Sequence, residues 1–245
     1  LEFLGERVQA EAVLQESYSI ARAEGDVYVI CRSLNILARV VSSLHQDRDL
    51  AQHYVEESYR LAKEAGLRSQ EAQSSEILGF IAIDGGDYAA ARAHFKESAR
   101  VYEEIGAAFN VILEKSNLAH LERRASHYEP ALEYYRETIV AFRDMGQTGA
   151  VAHQLECFGF IALAQNQNKR SSPADERALQ LFAAANALRE KAGTPMRPDE
   201  QTYFDEQLKV LREKIDVLLF DSIWSTGYIM TIEQAIEFAL EDNHE

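Results

Sequence analysis

The sequence predicts an all-α protein of stacked antiparallel helix pairs closed by a C-terminal helical cap. Three observations predict it. Five glycines, Gly25, Gly66, Gly106, Gly146 and Gly193, lie 41, 40, 40 and 47 residues apart by subtraction, and a period near 40 residues belongs to arrays of helical hairpins. Each glycine closes the same small, large, small pattern. Twelve and thirteen residues after each of the first four comes a large-small couple in what must be a second kind of helix.

Taken in order, the first copy is a B-type helix through Ala10, Leu14 and Ser17 that stops at Gly25. A glycine just past such a run can take the left-handed conformation that ends a helix without a Cβ clash. An A-type helix then carries Leu37-Ala38, and a B helix carries Ala51, Val55 and Ser58 up to Gly66. The next two pairs repeat this with Leu78-Gly79 followed by Ala91, Phe95 and Ser98, and with Leu118-Ala119 followed by Ala131, Tyr135 and Thr138. The fourth pair has Phe158-Gly159, then Ala178, Phe182 and Ala185 before Gly193. Its longer interval is explained by the polar run from Gln165 to Ser172, read as a lengthened loop before Pro173.

The pattern changes after Gly193. A helix is expected from Pro198-Asp199, with Tyr203-Phe204, Leu208 and Leu211. An aromatic segment, Phe220 to Trp224, leads to Gly227, and Thr231 with Glu233 opens a last helix carrying Ile232, Ala235, Ile236 and Phe238 to Leu240. The expected division is residues 1–193 as repeats and 194–245 as the cap that covers the last apolar face, with Trp224 as its packing anchor. The first B helix has no A helix before it and the chain opens on Leu1, so the first repeat is expected to be truncated and the chain a piece of a longer polypeptide.

The large-small couple on one helix and the paired small positions on the other resemble the tetratricopeptide repeat over roughly residues 6 to 193. That resemblance implies a right-handed superhelix. The period is longer than the usual ~34 residues, and Leu34, Ser75, Lys115 and Leu155 stand where the short consensus has tryptophan. HEAT-type repeats share the longer period. The run Arg177-Ala178 to Arg189-Glu190, then Gly193-Thr194-Pro195, the tyrosine-bearing helix, the Trp224 segment and Glu233 to Leu240 resemble the C-terminal sensor part of bacterial signalling ATPases. Those include LuxR-type and SARP-type transcription regulators, relatives of the maltose-regulon activator, and cyclase-linked proteins. Ile223 and Tyr228-Ile229 depart from that pattern. The resemblance implies a sensor domain of a bacterial signal-transduction or transcription regulator.

Composition narrows the function. With 40 acidic and 25 basic residues the net charge is -15, a field that repels phosphate backbones and anionic membranes. No direct nucleic-acid contact is expected. No apolar run of ~20 residues and no export signal occur, which suits a cytoplasmic protein. Cys31 and Cys157 fall in different A helices and read as buried small hydrophobes. The chain has no phosphate loop ending in Lys-Ser or Lys-Thr, no His-Glu-x-x-His, no close cysteine pair and no calcium loop. No catalytic residue, metal or cofactor is therefore expected. His120 with His127 and His153 with Glu156 are the pairs that invite inspection; the latter two share a helix face, a partial metal site or an acid-base pair.

Binding is the expected activity. Positions seven, ten and fourteen after each glycine share one face of the A helices. They hold Arg32, Asn35 and Arg39; Gln73, Glu76 and Phe80; Leu113, Ser116 and His120; and His153, Glu156 and Phe160. The seats that pack the helices repeat in kind while these vary in charge and size, as a recognition surface requires. A protein, a peptide or a small inducer is the expected partner, with self-association into a homodimer, and a stand-alone adaptor is the alternative to the regulator fragment. Phe80 and Phe160 could equally pack between neighbouring helices.

Overall fold

The glycine register places the helix ends. The computed structural model describes residues 2–45, 47–166 and 171–241, with side chains except at 2–11, 43–45 and 199. Gly25, Gly66, Gly106, Gly146 and Gly193 all have positive φ, between 64° and 75°. Each follows a B helix. Replacing Gly106 by alanine should cost about 1 kcal/mol, because a Cβ there meets its own backbone in the left-handed conformation; the shift in urea midpoint measures it.

All the described regular structure is helical. The chain forms two compact units, Leu1–Ser126 and His127–Glu245. The first contains α1 (Glu2–Glu24), α2 (Val27–His45), α3 (Arg48–Glu64), α4 (Arg68–Asp84), α5 (Tyr88–Glu104) and α6 (Ala108–Arg124). The second contains α7 (Tyr128–Asp144), α8 (Thr148–Gln165), α9 (Pro173–Ala192), α10 (Pro198–Lys214), α11 (Val217–Tyr228) and α12 (Ile232–Leu240). Within each unit consecutive helices pack on one another, α2 on α3 and α4 on α5 in the first, α8 on α9 in the second.

The sequence pattern is a packing pattern. Ala51, Ala91, Ala131 and Ala178 are buried, as are the large residues Val55, Phe95, Tyr135 and Phe182 and the small Ser58, Ser98, Thr138 and Ala185. In two of the pairs the small member of the A-helix couple is a glycine that makes room for a phenylalanine ring of the B helix. A Cβ on Gly79 would come within 2.7 Å of the Phe95 ring, and one on Gly159 within 2.5 Å of the Phe182 ring. Where the seat holds only Val55, the couple can carry Ala38. Glycine on A goes with phenylalanine on B in these two pairs, while Ala119 accompanies the buried Tyr135 in the third; each buried ring contributes roughly 2 to 3 kcal/mol of apolar burial.

Side-chain caps open α3, α5, α9 and α12, whereas α4, α6, α7 and α8 start without one. Asp47 accepts from the Leu50 N–H at 3.0 Å and Asp87 from the Ala90 N–H at 2.9 Å. α9 opens on a reciprocal box between Ser172 and Asp175 with Pro173 at its first position. The polar run expected as a loop includes residues 167–170, which lie outside the described residues. For α12 the box is completed by Gln234, not Glu233: Gln234 accepts from the Thr231 N–H at 2.9 Å and donates its own N–H to Thr231 Oγ1 at 3.2 Å.

In the second unit α11 and α12 pack on α9, and α10 joins a core of Phe182, Phe204, Leu211, Ile215 and Phe220. Trp224 packs against that core and stacks on Phe220 with ring centroids 6.3 Å apart. Arg177 closes the end of α12 by donating to the carbonyls of Ala239 and Glu241 at 3.1 and 2.9 Å. The expected boundary at residues 193 and 194 falls inside this unit.

Candidate binding face on the A helices

In the first unit the predicted face divides by exposure. Arg32 and Arg39 on α2 are exposed, Gln73 and Glu76 on α4 are half-buried, and Phe80 is 41% exposed with its ring edge-on to Phe95 at 5.1 Å. Leu113 and His120 on α6 are half-buried, and His120 Nε2 lies 3.3 Å from the buried Ser116 Oγ. Asn35 is a correction: it is buried. Its Oδ1 accepts from Ser74 Oγ at 3.0 Å and its Nδ2 faces Gln73 Oε1 at 3.4 Å, while Ser58 meets Ser74 at 2.9 Å and donates to the Cys31 carbonyl. This amide holds α2 to α4 and is not offered to a ligand.

The Ser58–Ser74 contact belongs to a register that the sequence reading passed over. The residue eight before each of the first four glycines meets the residue eight after it. Ser17 faces Ser33 at 3.5 Å, and Gln154 donates to Thr138 at 2.7 Å. Glu114 fills the corresponding place opposite Ser98, and is 1% exposed. Burial pushes its pKa up to about 8, the charge of Glu76 adds to the shift, and Asn117 and Ser98 pull weakly the other way. Asn117 Nδ2 stands 3.4 Å from its carboxyl, and Ser98 Oγ makes no well-shaped hydrogen bond. Glu76 is also raised by burial, with the Arg39 guanidinium opposing. The Tyr102 hydroxyl, buried beside these two acids, is pushed up to about 12. The face therefore combines exposed cations and an exposed ring, and Glu114, buried and so not itself on the face, is held mainly in its protonated form at neutral pH.

In the second unit, His153, Glu156 and Cys157 occupy one turn of α8. Glu156 is buried and takes a two-pronged ion pair from Arg189 on α9, at 2.6 and 2.9 Å. It is a tie between two helices and cannot serve as an exposed binding carboxylate, the second correction to the predicted face. His153 Nδ1 lies 3.3 Å from Glu156 Oε2. Burial disfavours the imidazolium, but the Cys157 sulfur and the Glu156 carboxylate outweigh it and push the His153 pKa up to about 10. Phe160 packs on Phe182 and is covered by Tyr203 of α10, at 5.0 and 4.9 Å. Its ring belongs to the cap. Cys31 and Cys157 are buried, as expected.

A cleft of about 940 Å³ in the second unit, between the end of α9 and the turn joining α11 to α12, has no signal in the repeat pattern. Glu190, Lys191, Tyr228 and Thr231 line it, and the Tyr228 hydroxyl donates to Glu190 at 2.5 Å. No helix among the described residues is long and apolar enough to cross a membrane.

No family model matches the chain, and no curated protein matches it in sequence. The fold is similar to that in the crystal structure of BtubC (BKLC) from P. vanneervenii, with a TM-score of 0.58 over 93% of this chain and 93% of that one. Sequence identity is 16%, so the likeness is one of fold. The chain has an all-α, helical-repeat fold.

Proposed function

We propose that this chain is a protein- or ligand-binding helical-repeat domain of the tetratricopeptide kind, part of a cytoplasmic bacterial signal-transduction or transcription regulator, and that it performs no catalytic step of its own. The observation that carries the binding reading is the exposed Phe80 with Arg32, Arg39 and Glu76, side chains that change from copy to copy on helices whose packing seats do not. An exposed ring and exposed cations on neighbouring A helices are the composition of an anchoring surface, which suits an acidic or aromatic-bearing peptide or a small anionic inducer. The regulator assignment is supported by the order of tail motifs after Gly193 and by the 40-residue period.

A thermal-shift and calorimetric screen of the chain against peptides, nucleotides and metabolites tests the reading. A ligand at a hundred times its Kd stabilises the native state by about 2.7 kcal/mol. Arg39→Ala and Phe80→Ala are expected to weaken a true ligand by about tenfold each, and a ligand indifferent to both would move the site off this face. The stand-alone adaptor remains the second reading; it predicts saturable peptide binding with no link to nucleotide in the intact protein.

A further inference from the structure

The turn of α8 that holds His153, Glu156 and Cys157 is unused by the binding reading, and its chemistry stands independently of it. The geometry points to a zinc site in which His153 Nε2 and Cys157 Sγ are the protein ligands.

Three features carry the assignment. His153 Nε2 and Cys157 Sγ converge to 4.0 Å. Two donors bound to one tetrahedral zinc, at about 2.0 Å for imidazole and about 2.3 Å for thiolate, stand roughly 3.6 Å apart, so a small side-chain rotation closes the pair. Their spacing, four residues along one helix, is that of paired metal ligands on a helical face. Imidazole with thiolate is a donor set that favours zinc over magnesium or calcium.

The second feature is the outer shell. His153 Nδ1 faces Glu156 Oε2 at 3.3 Å, and Glu156 is fixed by Arg189 through two hydrogen bonds of 2.6 and 2.9 Å. A carboxylate on the far nitrogen selects the tautomer that directs Nε2 at a metal. Glu156 is thus a positioning residue, already committed to Arg189, and not a ligand. The third feature is access. Cys157 is 0% exposed, but the His153 side chain is 28% exposed, so an ion reaches the sulfur past the imidazole. Binding forms Zn–S and Zn–N bonds as the Cys157 thiol proton and the proton on His153 Nε2 leave to solvent, and water completes the shell.

The test is titration of the chelator-treated protein with cobalt(II), then displacement by zinc. A saturable thiolate-to-cobalt charge-transfer band is expected, lost on adding zinc. Cys157→Ser should abolish the band, His153→Ala should weaken cobalt binding by at least tenfold, and Glu156→Gln by about tenfold. Cys31→Ser should leave the band intact. Circular dichroism shows whether each variant folds; if Cys157→Ser does not, the His153→Ala comparison decides. No band in the unaltered protein, a band that survives Cys157→Ser, a band lost in folded Cys31→Ser, or unchanged affinity in His153→Ala overturns the assignment.

Discussion

Glu114→Gln should stabilise the first unit at pH 8 to 9 and leave its stability nearly unchanged at pH 4. The carboxyl stands where the other copies place a serine or an amide, and burial with the neighbouring Glu76 charge raises its pKa to about 8 from 4.5. The folded state therefore keeps a proton that the unfolded chain has released. Between these two values the native state binds more protons, so stability falls as pH rises. The contribution is fully present below 4.5 and is lost as pH climbs through about 8. Above that, as much as about 5 kcal/mol is at stake.

Glutamine removes the titration without changing shape. The equivalent position in the next copy shows that an amide fits, since Gln154 donates to Thr138 at 2.7 Å. Urea unfolding of both proteins from pH 4 to 9 should give curves that meet at the acid end and separate above about pH 5, with the variant higher. Glu76, also raised by burial, leaves a smaller slope in the variant. Parallel curves would mean that Glu114 is ionised and solvated in the folded protein.

The same register explains what could be read before any coordinates. Ala51, Val55 and Ser58, with their counterparts in later copies, are buried because a helix pair has fixed places where backbones approach and where a gap must be filled, and a period reveals such places. The binding face obeys no such constraint. Asn35 and Glu156 sit at the helical position equivalent to half-buried Glu76, but their accessibility depends on what the neighbouring helix sets opposite. For Asn35 that is Ser74, and for Glu156 it is Arg189, 33 residues on. Phe160 looked like Phe80 in the sequence; the difference is Tyr203, which arrives from α10. Glu114 was legible in principle, since Ser33, Ser74 and Gln154 at the same place are neutral.

Gly227→Ala should be among the most damaging single-methyl changes in the second unit. A Cβ at Gly227 would stand 2.3 Å from the Gln180 carbonyl oxygen and 2.9 Å from Ala183 Cβ. At Gly159 the obstacle is the Phe182 ring, which can turn by some degrees; at Gly227 it is the backbone of α9, which cannot. The methyl is accommodated only if α11 lifts from α9, and α11 carries Phe220 and Trp224 into the core with Phe182, Phe204 and Leu211. Overpacking against backbone with loss of those contacts should cost about 3 kcal/mol. Trp224 is the single tryptophan, so its emission should shift to the red in the variant and its denaturation midpoint should fall. A loss under about 1 kcal/mol with unchanged emission would show that α11 is not held by this contact. Because the cap covers Phe160 and Phe182, the lifted helix also uncovers apolar surface of α8 and α9. Sedimentation of the variant should then depend on concentration more steeply than that of the unaltered protein.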